Sequence, residues 1–374
     1  MNENVLKYLI GTTQIKGIGC GLAKTLIAYL GSPESIFNEK RQNLEKIPGI
    51  GSVLSSEIVL QRTDALKRAE KEIEFIQKNN IQTFSFTDNQ YPFRLKECPD
   101  SPVLLYGRGN LDLNKGKFIG IVGTRKATDV GKENCRKLIF DIAASLPETV
   151  IVSGLAYGVD VCAHKAAIEA KLSTIGVLGH GLDRLYPATH TSVAAKMLEN
   201  GGLLAEFTSG TNPDRPNFVQ RNRIIASMCD ALIVIESNEK GGALITANLA
   251  NDYNRDVFAF PGRVDDEASR GCNALIKTNK AALIESAQDM LRFMNWETKD
   301  KTSAYSPQTS LFVDLSDEEQ EIFSILRQHP DGIQTNGLAI LSAKPFSKIS
   351  SLLLEMEFKN LVKCLPGNVY KIIK

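Results

Sequence analysis

Between residues 117 and 295 the apolar positions fall in short unbroken runs, separated by longer stretches with helical spacing. The runs cover residues 118–122, 149–152, 174–178, 203–205, 231–235, 256–260 and 282–284. Most of them lack polar alternation, the mark of strands buried on both faces. Strand followed by helix, repeated, predicts an α/β fold: a Rossmann-like, doubly wound, mostly parallel sheet.

The flanks have a different rhythm. Residues 1–78 read as helical and carry two short turn signals, Ile15-Lys16-Gly17-Ile18-Gly19 and Ile47-Pro48-Gly49-Ile50-Gly51. Apolar-x-Gly-apolar-Gly between helices predicts a helix-hairpin-helix-like domain, in which helix N-terminal amides approach a phosphate. The alternative is a tight turn between packed helices. The core is expected over 79–295 and a polar linker over 296–310. A small domain over 311–374 then opens with the capping-box pattern Ser316-Asp317-Glu318-Glu319. Helices to about Arg327, after Thr335 and over 347–359 precede a hairpin, which together predict a winged helix. Leu352, Leu353, Met356 and Phe358 are its expected apolar contacts.

Composition narrows the chemistry. The net charge of +1 over 374 residues gives no global basic field, so any polyanion must be held by a local patch. The seven cysteines and four histidines are dispersed without metal-ligand spacing, so no metal is expected. Unpaired cysteines suit a reducing, cytoplasmic setting. No stretch approaches the ~20 apolar residues of a membrane span, and no signal peptide is evident at the N-terminus.

In an open parallel sheet, ligands bind beyond the carboxyl ends of the strands. Nearly every such end here carries glycine: Gly123-Thr124-Arg125, then Ser153-Gly154, Gly179-His180-Gly181, Lys240-Gly241-Gly242 and Pro261-Gly262. Glycines admit close backbone approach, and helix N-termini add amide donors. Arg125, Arg215, Arg221, Asn222, Arg223 and Lys240 supply charge and hydrogen bonds. Neither a dinucleotide fingerprint nor a P-loop is present, so no cofactor is expected. Asp160 and His164 stand one helical turn apart, either as a reactive pair or as a helix cap with a local partner. Glu206 and Glu236 follow strands and are read as structural, holding loop amides or the nearby arginines. Tyr157, Phe207 and Phe218 are candidate base-stacking rings or ordinary core.

In this order the segments resemble the DNA processing protein A (DprA/Smf) family. The residues that carry the resemblance are Tyr91-Pro92, Pro102 to Gly107, Val122 to Arg125, Ser153 to Ala156, Gly158 to Asp160, His164, Val177 to Gly179, Gly181 to Asp183, Tyr186-Pro187, Arg221 to Ala226, Gly242 to Ala247 and Phe260 to Gly262. The resemblance implies a non-enzymatic mediator of natural transformation that binds incoming single-stranded DNA, protects it and loads the RecA recombinase. It assigns the Gly-Thr-Arg loop, and so Arg125, to the DNA pocket. The lysine or arginine that family loops often carry after Tyr-Pro is replaced here by Ala188-Thr189-His190. The usual Lys-Ser-Gly-Ser becomes Lys240-Gly241-Gly242-Ala243, which keeps the lysine and loses two hydroxyls. The family tends to dimerise through the central domain, which points to Asn273, Leu275, Ile276 and Leu283 as a homodimer interface. Two alternatives stay open: a nucleoside monophosphate hydrolase using the same sheet edge, and a transcriptional regulator using the winged helix.

Overall fold

The computed structural model describes residues 2–296, 315–329, 332–359, 361–365 and 368–372. It has two compact units, Met1–Thr298 and Lys299–Lys374. The linker expected over 296–310 lies, apart from Trp296, outside the described residues.

The first unit begins with α1 (Glu3–Thr13), α2 (Cys20–Leu30), α3 (Pro33–Asn38), α4 (Arg41–Leu44) and α5 (Ser52–Lys78). The two glycine signals are the turns between α1 and α2 and between α4 and α5. Gly19 and Gly51 stand as N-caps that offer no side chain to the helix they open. These helices do not close a core of their own. Leu26, Ile36 and Ile58 share one apolar cluster with Val103, Leu104, Leu155 and Met197 of the following α/β region. Packing is therefore continuous across residue 78.

That region runs β1 (Gln82–Ser85), α6 (Phe93–Lys96), β2 (Leu104–Asn110), β3 (Phe118–Val122), α7 (Asp129–Ser145), β4 (Val150–Ser153), α8 (Val159–Glu169) and β5 (Ser173–Leu178). It continues through α9 (Thr191–Met197), β6 (Gly201–Ala205), α10 (Arg215–Met228), β7 (Ala231–Val234), α11 (Gly242–Asp252), β8 (Asp256–Ala259), α12 (Arg270–Lys277), β9 (Ala282–Leu283) and α13 (Ala287–Phe293). The nine strands lie in the order β1-β2-β6-β5-β4-β3-β7-β8-β9. From β3 the chain winds outward through β4, β5 and β6, then returns to β7 on the other side of β3. All pairs from β6 across to β9 are parallel. Every residue of β3, β4 and β7 is buried, as their unbroken apolar runs require.

The sheet also has an antiparallel margin, β1 with β2 and β2 with β6, that the hydrophobic pattern did not mark as strands. β2 is apolar only in its first half and ends in Gly107-Arg108-Gly109-Asn110, so it lacks a strand signature along its length.

The second unit holds α14 (Asp317–Gln328), β10 (Ile333–Gln334), α15 (Thr335–Ser342), α16 (Phe346–Phe358), β11 (Val362–Leu365) and β12 (Val369–Ile372). The Ser316/Glu319 capping box is formed at the start of α14. Three helices and the sheet β10-β12-β11 enclose Ile322, Leu338, Ile349, Leu353 and Met356, the arrangement of a winged helix. Phe358, expected as an inward contact, instead is 80% exposed. It sits five residues past the buried Leu353, beyond the inward stripe of α16.

Candidate functional site

The order of winding fixes where a ligand fits. β3 and β7 are neighbours whose onward connections leave in opposite directions, which opens a crevice between their carboxyl ends. A cavity of about 710 Å³ lies there.

One wall is the loop after β3. The Thr124 amide donates to the Glu236 carbonyl at 2.8 Å. The Glu236 carboxylate in turn accepts from the Thr128 amide at 2.9 Å and from the Thr128 hydroxyl. Glu236 is thus a brace between β7 and the start of α7, as a structural acid. The Thr124 carbonyl accepts from the Val159 amide at 3.2 Å. This close crossing needs Gly158, whose φ is +79° and where a Cβ would lie 2.2 Å from that carbonyl. Arg125 emerges exposed from the braced loop, and its guanidinium stands 5.7 Å from the centre of the Phe218 ring. Phe218 is 5.8 Å from the ring of Tyr186.

The opposite wall is made by two helix starts. α10 opens with Arg215, and α11 opens at Gly242 with Gly241 as an N-cap that lacks a side-chain bond. The opening amides of both helices have no helical carbonyl to meet, apart from that of Leu244, which donates to the Gly241 carbonyl at 3.1 Å, and Pro216, which has no N–H. Lys240 precedes α11 and is exposed, as is Arg215. Among the described residues, Arg125, Arg215 and Lys240 form no salt bridge. The cavity therefore gathers Gly123, Thr124, Arg125, Arg215, Arg221, Asn222, Lys240, Gly241 and Gly242.

Three expected site residues are not brought to this cavity. Ser153 is buried and donates to the Ile121 carbonyl at 2.6 Å. Gly154 makes room for another side chain: a Cβ there would sit 2.3 Å from Arg221 Nη1 and 2.6 Å from Asp160 Oδ2. Arg223 faces the other way. Two residues along a helix turn a side chain by about 200°, so Arg221 and Arg223 cannot share a face. Arg223 instead pairs with Glu206 and bonds the Asp100 carbonyl and Cys20 Sγ, against the N-terminal helices.

Arg221, though at the cavity, is no free cation. It is buried, donates to the Val177 carbonyl and lies beside Asp160. Burial lowers its pKa to about 10, so it stays charged at neutral pH. Burial raises Asp160, and Arg221 opposes that rise. The pair forms the floor, with Asp160 also accepting from the Ala156 amide at 3.3 Å. Asp160 is thereby turned away from His164, whose Nδ1 meets Thr174 Oγ1 at 2.7 Å.

His164 sets an acid sensitivity. It is fully buried, and desolvation, followed by the charge of Arg221, lowers its pKa from 6.5 to about 3. Between those values the unfolded chain binds the proton and the folded chain does not. Stability is therefore expected to fall as pH drops below about 6.5, by up to about 1.4 kcal/mol per unit. Urea unfolding midpoints measured from pH 7 to 5 should fall less steeply for His164→Asn than for the wild type.

Of the candidate stacking rings only Phe218 lines the cavity. Phe207 lies by Gln14 and Cys20 in a separate cavity, and Tyr157 packs edge-on against His190 at 5.0 Å. Tyr186, Val219 and Ile245 were not singled out as site residues, yet each lines the cavity with substantial exposure. Tyr186 had a signal, since it precedes Pro187 in a strand-end loop. The dimer candidates divide as well. Leu275 is core, and Asn273 holds Gly262 through bonds of 3.1 and 3.0 Å. Ile276 is partly buried against the same cluster. Leu283 is half exposed on the edge strand β9. Among the described residues no cluster of metal-ligating side chains occurs, and no helix is long and apolar enough to cross a membrane.

The doubly wound topology defines a Rossmann-like protein, with Arg125, Arg215 and Lys240, in no salt bridge among the described residues, at the switch point. The chain belongs to the family of DNA recombination-mediator protein A, which matches residues 82–295. It is 32% identical to Protein Smf of Synechocystis, over 97% of this chain and 98% of that one. It is 41% identical to the DNA processing protein DprA of Streptococcus pneumoniae, over 56% of this chain and 73% of that one. The X-ray structure of the Streptococcus pneumoniae protein superposes with a TM-score of 0.65 at 34% identity, covering 78% of this chain and 97% of that one. DNA processing protein A of Helicobacter pylori, whose structure concerns its single-stranded DNA binding mode, superposes at 0.52 with 28% identity, over 58% and 96% of the two chains.

Proposed function

We propose that the switch-point cleft holds the phosphates of single-stranded DNA, and that the protein protects incoming strands in natural transformation and loads RecA onto them. The observation that carries this reading is the set of three exposed cations, in no salt bridge among the described residues, on three different elements around one cleft. A single strand needs charge along its backbone and rings against which bases stack. The Arg125–Phe218–Tyr186 group offers both side by side. The single-strand binding of the Helicobacter pylori relative supports the same assignment.

The hydrolase reading needs a free carboxylate in the cleft. Glu236 is committed to Thr128, and Glu206 is committed to Arg223 outside it. The regulator reading needs a basic recognition helix. In and beside α16, Lys348 is paired with Glu318 at 2.8 Å and Lys359 with Glu319 at 2.6 Å, while Leu354 and Phe358 stand exposed. That surface suits a protein contact better than a duplex.

The test is binding of labelled single strands, duplex and nucleoside monophosphates across a salt series, with nuclease protection and RecA filament growth on strands coated by single-strand binding protein. Preference for single strands, protection without nucleotide consumption and faster filament growth are expected. Free base released from monophosphates, and lost in Glu206→Gln or Glu236→Gln, would overturn the proposal.

We propose that self-association runs through the β9 edge, where Leu283 offers a half-exposed apolar side chain on the last strand of the sheet. Leu283→Glu is expected to halve the mass seen by light scattering and to leave the melting curve of the subunit intact. An unchanged dimer mass would move the interface elsewhere.

A further inference from the structure

α7 and α8 pack side by side and carry a pair of cysteines that the cleft does not use. Cys135 is fully buried in the apolar cluster beneath the two helices, and Cys162 is half-buried against the same cluster. The Cys162 thiol donates to the Lys132 carbonyl at 3.6 Å. Lys132 lies one turn before Cys135 on α7, so its carbonyl marks the face that Cys135 shares. Each thiol shifts the acidity of the other, as two close neighbours do.

We propose that Cys135 and Cys162 form a peroxide-responsive thiol pair, with Cys162 as the attacking sulfur and Cys135 as the resolving one. The environment fits that division of labour. Cys162 is reached from solvent and Cys135 is not. The neighbouring Cys135 thiol lowers the Cys162 pKa, and Lys165 and Lys132 add to this, against burial and the charge of Glu169. Cys135 is raised by the neighbouring Cys162 thiol and by burial. Lys132 shares its charge with Asp129 at 2.8 Å, so Lys165 is the freer of the two cations. Cys98, Cys229 and Cys272 are buried and pushed upward by desolvation, which leaves them inert.

The steps balance. The Cys162 thiolate attacks one peroxide oxygen, forming an S–O bond as the O–O bond breaks and hydroxide leaves. The sulfur is oxidised to a sulfenic acid and the peroxide is reduced. The Cys135 sulfur then attacks the Cys162 sulfur, the S–S bond forms, and the S–O bond breaks. The departing hydroxide takes the Cys135 proton and leaves as water. Cys135 needs no path to solvent, because only the Cys162 sulfur has to meet it.

The full chain would be treated with one equivalent of hydrogen peroxide, quenched with iodoacetamide in denaturing guanidinium so that every remaining thiol is reached, and mapped by peptide mass spectrometry. The expected product is an intramolecular Cys135–Cys162 disulfide, reversed by dithiothreitol, with the other cysteines alkylated. In Cys135→Ala, Cys162 is expected to stop as a sulfenic acid that dimedone captures. Cys135 and Cys162 both alkylated after treatment, or Cys162 of the wild type carried to the sulfinic acid with Cys135 still reduced, would overturn the proposal. The wild-type measurement decides the matter even if the variant fails to fold.

Discussion

A triple variant with Arg125, Arg215 and Lys240 changed to alanine is expected to bind single strands on the order of a hundredfold more weakly at 0.1 M salt. Each lost phosphate contact removes a slope of about 0.7 from log K against log salt on single strands, so three remove roughly 2. The three contacts act independently because they sit on separate elements. Arg125 rides the loop after β3, Arg215 the first turn of α10, and Lys240 the approach to α11. All three are exposed and none is in a salt bridge among the described residues, so no buried acid is left unpaired. Thermal unfolding is expected to be unchanged within experimental error. Fluorescence anisotropy with two unrelated strand sequences, over several salt concentrations, measures both affinity and slope. Equal losses on both sequences are expected, because phosphate contacts carry no base information. A wild-type slope in the triple variant would mean that the strand runs elsewhere.

The parallel core was legible because burial on both faces leaves an unbroken apolar run, and β3 to β9 each appear within two residues of where such a run stands. β1 and β2 carry no such run along their length, and the antiparallel pairing of β2 with β6 is set by tertiary contact. The cleft was legible through a topological rule. Glycine loops at strand ends become a site once the winding order is known, and Gly123, Gly241 and Gly242 meet there. Side-chain direction was not legible. Spacing put Arg221 and Arg223 together, but helix geometry sends one under the cleft and the other toward α2. Gly154 was read as room for a phosphate, and the room is taken by the Arg221 guanidinium. Tyr186 escaped because a lone tyrosine in a loop has no periodicity to reveal the ring it faces.

The same division of α10 predicts the largest effect on stability. Glu206 and Arg223 have side chains only 6% and 11% exposed, so Arg223→Ala strands a buried carboxylate. Breaking a buried pair in this way costs about 3–5 kcal/mol. Arg223 also bonds the Asp100 carbonyl and Cys20 Sγ, so the loss falls on the seam between the N-terminal helices and the sheet. Glu206→Gln is expected to cost less, because it removes the buried charge and keeps a group able to hydrogen-bond. Joining it with Arg223→Met is expected to recover much of the loss seen in Arg223→Ala, since an uncharged pair of similar volume meets no desolvation penalty. Urea unfolding followed by circular dichroism gives the four stabilities. Hydrogen exchange is expected to show α2 opening first in Arg223→Ala. Because Arg223 lies outside the cleft, the folded fraction of that variant is expected to keep the wild-type salt slope for single strands. A slope that falls with Arg223 while stability holds would instead place this arginine on the strand.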